Sequence, residues 1–76
     1  MENLVYIRFI SIERETEKAI CLKMEGGIGF TFTTWCPKSQ IVERVDNNIR
    51  LPKWLATRIL FGEDYQRAKR HHTFYV

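Results

Sequence analysis

The feature that most constrains this fold is a glycine-containing loop between two runs with strand-like alternation. The run before the loop, KAICLKM, places three apolar side chains on one face, namely Ile20, Leu22 and Met24. The run after it, at residues 30–35, begins by alternating phenylalanine with threonine. A period of two is typical of strands, and Gly26 and Gly27 can adopt the positive φ that tight hairpins need. The sequence therefore predicts an antiparallel hairpin with its loop at residues 25–29.

Three further segments complete a predicted set of five strands. Residues 4–12 are rich in β-branched and aromatic residues. Their apolar side chains lie on both faces, which is typical of a curved or closed sheet, or of a strand that a helix covers. Residues 13–17 are charged and predict a turn. Residues 40–45 and 49–51 predict a last hairpin, because the Asp and Asn residues between them favour turns.

The main helix is predicted at residues 52–62. Pro52 suits the first helical position, where its missing N–H is not needed, and Gly62 suits the end of a helix. The side chains expected to face the sheet are Trp54, Leu55, Ile59 and Phe61. Residues 63–72 predict a further turn or two of helix, because acidic residues stand at its start and basic residues at its end, as the helix dipole favours.

This order of elements predicts an α+β fold. We expect a small curved antiparallel sheet or a partly open β-barrel, made of about five short strands and covered by a C-terminal helix. A chain of 76 residues is one domain. Residues 1–62 are expected to form its β-rich body, with the packing helix at 52–62, and residues 63–76 a basic helical extension and tail. The segment TFYV at 73–76 is a candidate edge strand for docking or for a homodimer.

Size and charge narrow the classes of function. A domain this small has a marginal core and little room for a substrate cleft, which favours a binding module over an enzyme. The net charge of +3 is uneven: residues 1–36 hold four basic and five acidic residues, and residues 37–76 hold eight basic and four acidic ones. The positive half favours nucleic acid or an acidic protein surface as a partner. A solvated basic face without a partner would show the same pattern.

Hydropathy predicts no contact with a membrane. No stretch approaches the roughly 18 apolar residues that a membrane-spanning helix needs. The sequence also has no basic segment followed by a long apolar run, as a signal peptide would have. A cytoplasmic location is the resulting expectation.

The run TTWCPKSQ raises the question of a reactive cysteine. A nucleophilic Cys36 would need a lowered pKa and a nearby base. Lys38 lies two residues further on, but His71 and His72 lie far along the chain. We therefore expect Cys36 to be a small packing residue near a strand end, where Pro37 interrupts the ladder because it has no N–H to donate.

No pattern in the sequence predicts a metal ion, a cofactor or a catalytic residue. The candidate zinc ligands are Cys21, Cys36, His71 and His72, but the cysteines lack the C-x₂₋₄-C spacing of zinc sites and adjacent histidines cannot easily both coordinate one ion. A phosphate loop leads into a helix, whereas the GGIG loop leads into a predicted strand. In a cytosolic protein the two cysteines are expected to be reduced thiols.

Basic and aromatic residues in the second half form the candidate binding surface. A positive groove with aromatic platforms binds single-stranded nucleic acid through phosphate contacts and base stacking. The predicted binding residues are Trp35, Lys38, Arg44, Arg50, Lys53, Arg58, Arg67, Lys69 and Arg70. Trp35 is either part of this surface or a core residue. For Trp54 we expect a core position that holds the helix on the sheet.

The runs WCPKSQI and PKWLA resemble a pattern in small uncharacterised proteins of phages and other mobile elements. The matching positions are Trp35, Pro37, Lys38, Ser39, Gln40, Ile41, Ile49, Pro52, Trp54, Leu55 and Ala56. The resemblance implies a small β-rich fold with a helix, in a setting of replication, recombination or host-defence conflict. It implies no established activity. The chain departs from the pattern at Cys36, where the family has an aliphatic residue, and this favours a packing role.

The leading hypothesis is a non-enzymatic, mobile-element-encoded protein that binds nucleic acid through its basic C-terminal half. The alternative is a small inhibitor or accessory protein that binds a host nucleic-acid-handling or defence protein. A homodimer is compatible with either hypothesis. An enzyme that uses Cys36 is the least favoured class.

Overall fold

The computed structural model describes residues 3–27 and 29–72. Within these ranges the chain forms six strands, one 3₁₀ turn and two helices. The strands are β1 (Leu4–Arg8), β2 (Ser11–Glu15), β3 (Ala19–Gly27), β4 (Phe30–Pro37), β5 (Glu43–Val45) and β6 (Asn48–Pro52). The 3₁₀ turn covers Lys38–Gln40, and the helices are α1 (Lys53–Phe61) and α2 (Glu63–His72). The segment at 73–76, a predicted edge strand, lies outside the described residues.

The strands form two antiparallel sheets of three strands each. The first sheet has the order β1–β6–β5 and the second has the order β2–β3–β4. Helix α1 contacts both sheets, while α2 packs mainly on β4. The α+β class is thus confirmed. The finer prediction of about five strands in one curved sheet or open barrel is wrong, because six strands divide between two sheets, which do not close into a barrel in the described chain.

The predicted strand at residues 4–12 is divided because the chain changes sheets in its middle. The Phe9 N–H donates to the Asn47 carbonyl oxygen at 2.9 Å, beside the first sheet, and the Ile10 N–H donates to the Lys23 carbonyl oxygen at 2.8 Å, in the second sheet. The Asn47 side-chain amide donates to the carbonyl oxygens of Phe9 and Ile10 at 3.1 and 2.7 Å. These bonds fix the bend, and strand β2 begins directly after it.

The charged segment at residues 13–17, predicted as a turn, instead extends strand β2 as far as Glu15. The chain reverses at the next residues, where the Thr16 N–H donates to the Ala19 carbonyl oxygen at 2.8 Å. The Ala19 N–H in turn donates to the Thr16 hydroxyl oxygen at 3.1 Å. Local side-chain bonding by a threonine is typical of such turns.

Both predicted hairpins are present. In the β3–β4 hairpin, Gly27 pairs with Phe30 and the positive φ of 89° belongs to Gly29. The expectation of positive φ at Gly26 and Gly27 is wrong, because these two residues continue strand β3. In the β5–β6 hairpin, Asp46 takes a φ of 54°, as expected of an aspartate in a tight turn.

The core lies between the two sheets and helix α1. Its buried side chains are Ile7, Phe9, Ile20, Leu22, Met24, Phe32, Cys36, Ile49, Leu51, Leu55, Ala56 and Ile59. Trp54 and Phe61, expected to face the sheet, are 49% and 61% exposed. That expectation is wrong because the narrow buried stripe of α1 is already filled by Leu55, Ala56 and Ile59.

Three residues that were expected to begin or end elements have a different geometry in the structure. Pro37 does not interrupt the ladder: it pairs with Ala19, and the following Lys38 N–H still donates to the Lys18 carbonyl oxygen at 2.8 Å. Pro52 is the N-cap of α1 rather than its first helical residue. Gly62 ends α1 in an extended conformation, with the Arg58 carbonyl at the place that a Cβ would occupy.

Neither helix in the described part of the chain is long and apolar enough to cross a membrane.

Candidate binding groove beside strand β4

Two exposed tryptophans line one groove at the end of strand β4. We call it the Trp groove, and it has a volume of about 370 Å³. Its principal side chains are Trp35 and Pro37 from β4, Trp54 and Arg58 from α1, and Glu63 and Asp64 from α2. The floor is apolar, because Leu55 and Ile59 of the core also line it. The groove therefore combines aromatic, cationic and acidic groups on an apolar base.

The strand period explains why Trp35 lies at the surface. Phe32, Thr34 and Cys36 are buried, so the residues between them point away from the core. Trp35 is 47% exposed, and it pairs across the ladder with Cys21. The sequence left open whether Trp35 is a core residue or part of a surface, and the structure supports a surface position. The expected core position of Trp54 is wrong, because about half of its side chain is accessible.

A second groove continues the first along strand β4. We call it the His71 groove, and it has a volume of about 310 Å³. Phe32 and Thr33 line it from β4, and Asp64, Arg67, Ala68 and His71 line it from α2. Asp64 belongs to both grooves. Together they form a trench with β4 on one side and the two helices on the other.

The charges in this trench are unevenly compensated. The Arg67 guanidinium forms ion pairs with two carboxylates, at 3.6 Å from Glu63 and 3.6 Å from Asp64. Arg58 takes part in no ion pair with any residue that the structure describes. The Trp groove thus offers a guanidinium at one position and partly compensated carboxylates at another.

Two other predicted basic residues are held by acidic neighbours. Lys38 Nζ lies 2.6 Å from a Glu15 carboxylate oxygen, and the lysine lowers the pKa of Glu15. Arg50 lies 3.9 Å from Glu43, and its guanidinium carbon is 5.8 Å from the centre of the Tyr6 ring. With Arg67, three of the predicted binding cations are therefore partly neutralised.

The remaining predicted cations are spread over β5, α1 and α2. They are Arg44, Lys53, Arg58, Lys69 and Arg70, and in the described ranges none of them lies within ion-pair distance of a carboxylate. Lys69 Nζ lies 5.9 Å from the centre of the Tyr65 ring, on the same helix. Of all the predicted site residues, Trp35 and Arg58 line the Trp groove, and Arg67 lines the adjoining one. The other six line neither.

Cys36 is fully buried in the core, which confirms its predicted packing role. Burial raises the pKa of its thiol to about 11, which disfavours the nucleophilic thiolate. Its Sγ lies 3.8 Å from the Pro37 carbonyl oxygen, to which the thiol donates. Cys21 is also a free thiol, and its cross-strand partner Trp35 places it on the opposite face of the second sheet. Because the two thiols lie on opposite faces of the sheet, they are not placed to form a disulfide bond.

A larger groove lies where the chain changes sheets. It has a volume of about 640 Å³ and is lined by Tyr6, Ile7, Arg8, Phe9, Ile10, Glu25, Asn47 and Leu60. It contains no predicted site residue. Within the described ranges, no group of three or more His, Cys, Asp or Glu residues is arranged to hold a metal ion.

Sequence reasoning missed Trp54 as a surface residue, along with the acidic end of the Trp groove. One indication was present in the sequence. Trp54 and Arg58 are four residues apart, which places them on one helical face, and Lys53 and Thr57 flank that face with polar groups. Tryptophan and arginine are enriched among the residues that dominate binding energy, so this pair on one helical face indicates a contact surface.

Comparisons with protein families, with curated proteins and with solved structures each found no match for this chain.

Proposed function

We propose that this protein is a non-enzymatic binding module that holds a protein partner in the Trp groove. The observation that supports the proposal is that Trp35 and Trp54, each about half exposed, line one groove together with Arg58. Trp and Arg are among the residue types that most often dominate the binding energy of protein interfaces. Two exposed indoles on a small domain also leave apolar surface that a partner would remove from water.

The charge pattern favours a protein over nucleic acid as the main partner. Glu63 and Asp64 line the Trp groove, and their carboxylates would repel a phosphate backbone. Lys38 and Arg50, which were predicted to contact phosphates, face Glu15 and Glu43 instead. A polypeptide carries both signs of charge and can match a groove that does the same.

The biological setting of this binding follows from the resemblance to mobile-element proteins. On that basis we propose that the partner is a host protein that handles nucleic acid or acts in defence, and that this module inhibits or assists it.

The proposal can be tested with peptides selected from a random display library against the wild-type protein. We expect Trp35→Ala and Trp54→Ala each to weaken binding of the selected peptides by about tenfold or more, as hot-spot residues do. Tyr6→Ala is the matched control, because Tyr6 is a similarly exposed aromatic residue outside the Trp groove. Selected peptides that bind both tryptophan variants as tightly as the wild type would refute the proposal.

Nucleic-acid binding is a second candidate, and one observation favours it. Five predicted cations, Arg44, Lys53, Arg58, Lys69 and Arg70, have no carboxylate within ion-pair distance in the described part of the chain. Their charge is available to phosphates, while the tryptophans offer stacking surfaces for bases.

This second candidate predicts binding of labelled single-stranded DNA or RNA that weakens steeply with salt. The combined substitutions Lys69→Gln and Arg70→Gln should reduce the affinity and the steepness of the salt dependence. Arg50→Gln is the control, since Glu43 already partly neutralises that guanidinium. Absence of any anisotropy change at low salt would eliminate the nucleic-acid candidate.

A further inference from the structure

The two sheets have four edge strands in the described part of the chain, and three of these carry features that discourage pairing with another chain. Strand β5 is three residues long and two of these are Glu43 and Arg44. Strand β2 has three consecutive charged residues and an irregularity in its register after Ile12. Strand β1 ends in Arg8, directly before the bend to the other sheet. Charges, bulges and short length are the usual protections of an edge strand.

The fourth edge, that of strand β4, has little protection of this kind. The strand is eight residues long and contains no charged residue. Its only protective residue is Pro37, at the very end. A long, uncharged edge next to an exposed tryptophan is a template for pairing with a further strand.

The backbone of β4 presents free hydrogen-bonding groups to this edge. The Lys38 N–H donates to the carbonyl oxygen of Lys18, the residue just before β3, and bonding alternates along an antiparallel ladder. The N–H and C=O groups of Phe32, Thr34 and Cys36 therefore point towards β3, and those of Thr31, Thr33 and Trp35 point away from it. In the described part of the chain, no backbone bond outside the β3–β4 ladder uses these outward groups.

These outward groups lie along the trench beside β4. Thr33 lines the His71 groove and Trp35 lines the Trp groove. Helix α2 borders the trench and is anchored to β4 by Tyr65, whose ring centre is 5.7 Å from that of Phe32. A segment that paired with β4 would thus have its backbone bonded by the strand and one of its faces covered by the helices.

We infer that a segment of the partner protein binds in an extended conformation, as an additional strand paired with β4. This inference rests on the proposed function, and it adds the conformation and chemistry of the bound segment. An extended polypeptide supplies the alternating N–H and C=O groups that match the outward groups of Thr31, Thr33 and Trp35, as in other cases of strand addition. Nucleic acid has no such repeat.

A second copy of this chain fits the edge less well. If two β4 strands paired directly, they would be about 4.8 Å apart. Helix α2 packs mainly on β4 and less on β3, so direct pairing would crowd the two α2 helices against each other. Packed helices need about 8–10 Å between their axes. A single extended segment avoids this clash.

The charges of the trench specify the chemistry of the segment. Its side chains on the helix face should be apolar, since the core residues Leu55 and Ile59 lie at the base of the Trp groove. One acidic residue should lie against Arg58, which has no carboxylate partner among the described residues, whereas Glu63 and Asp64 already have Arg67. The bound segment thus alternates apolar and polar residues and includes an Asp or Glu.

The decisive variant is Thr33→Pro. Proline at position 33 removes the outward N–H but no bond to β3. Pro37, at the end of the strand, already lies at an outward position of this kind. The probe is the tightest peptide selected from a library of nine-residue peptides that alternate apolar and polar residues and contain one Glu. We expect Thr33→Pro to weaken its binding by about tenfold or more. Thr33→Ala, which keeps the N–H, should bind within about twofold of the wild type.

A second measurement uses the wild-type protein and therefore tests the inference even if Thr33→Pro fails to fold. Amide hydrogen exchange of the wild type, with and without the peptide, should show new protection at Thr31, Thr33 and Trp35. The amides of Thr34 and Cys36 should be protected in both samples, because they already bond to β3. Replacing the Glu of the peptide by Gln should weaken binding to the wild type more than binding to Arg58→Gln.

The outcomes separate this inference from the proposed function. One outcome would overturn strand addition and leave the Trp groove as the site. In that outcome, peptide binding needs Trp35 and Trp54 but persists in Thr33→Pro, and the peptide protects no further amides of the wild type. Binding that needs neither tryptophan would overturn the proposed function itself. A wild-type dimer in light scattering that Thr33→Pro converts to a monomer would assign the edge to a second copy. Protection of the three amides by an oligonucleotide would likewise contradict a peptide occupant.

Discussion

Lys38 Nζ lies 2.6 Å from a carboxylate oxygen of Glu15, and this ion pair joins the two outer strands of the second sheet. Glu15 is the last residue of β2, and Lys38 directly follows β4. The Lys38 backbone also bonds to Lys18, just before β3 begins. The ion pair and this backbone bond together connect all three strands at one end of the sheet, beside the Trp groove.

This ion pair predicts a loss of stability in acid. Lys38 lowers the pKa of Glu15 in the folded protein, so the pair stabilises the fold above the ordinary carboxyl value of 4.5, and its contribution is lost as the pH falls through the lowered pKa. Glu15→Gln should lower the melting temperature slightly at pH 7, since both side chains are partly exposed. Thermal melts at pH 7 and pH 3 should show that the difference between variant and wild type shrinks in acid. A difference that stays constant would contradict this.

Burial of Cys36 predicts a thiol that is inert in the folded state. Its pKa of about 11 leaves very little thiolate at neutral pH, and the sulfur is inaccessible. Iodoacetamide should therefore modify Cys36 far more slowly in native protein than in urea, as peptide mass spectrometry would measure. Cys36→Ser should reduce the free energy of unfolding by about 1–3 kcal/mol, because it buries a hydroxyl in an apolar core. Rapid modification of the native protein would show that the site opens.

Truncation of a core residue in the first sheet should have a large effect. Leu51 is fully buried on β6, and Leu51→Ala should lower the free energy of unfolding by about 2–5 kcal/mol. Val42→Ala is the control, since Val42 is largely exposed, and it should change the stability by less than about 0.5 kcal/mol. Urea denaturation monitored by tryptophan fluorescence would measure both. Equal effects of the two substitutions would contradict the assignment of the core.

The bend at Phe9–Ile10 should depend on the side chain of Asn47. Its amide donates to two carbonyl oxygens, so Asn47→Ala should cost about 1–2 kcal/mol of stability. Asn47→Asp should cost more, because a carboxylate would face both carbonyl oxygens without a proton to donate. The order of the two variants in urea denaturation is the test, and an aspartate variant as stable as the wild type would show that these bonds do not hold the bend.

The parts of the fold that the sequence predicts well depend on local patterns. The β3–β4 hairpin and both helices follow from alternation, from caps and from charge placement within short segments. The division of residues 4–12 could not be predicted, because it depends on Asn47, which lies far along the chain and bonds across to the bend. The same limit applies to the β1–β6 pairing, which brings Leu4 opposite Pro52.

The candidate site was predicted in part for a similar reason. Strand alternation around Trp35 was visible in the sequence, but its partners in the Trp groove come from two helices. The charges of Lys38 and Arg50 gave no indication that Glu15 and Glu43 would lie beside them. Only the tertiary arrangement shows which cations lack a carboxylate partner among the described residues, and our proposal of a protein rather than nucleic acid as the main partner rests on it.

The pairing of Leu4 with Pro52 also bears on the order in which the molecule folds. The second sheet is a meander of neighbouring strands that forms within residues 11–37, whereas β1 and β6 must close most of the chain into a loop before they meet. Because long loops are slow to close, we expect the second sheet to form first and the first sheet to assemble on it. Leu51→Ala should then accelerate unfolding more than it slows refolding, as stopped-flow kinetics in urea would reveal. Strand β4 would in that case present its free edge before the fold is complete, so that a partner segment could bind while the protein is still folding.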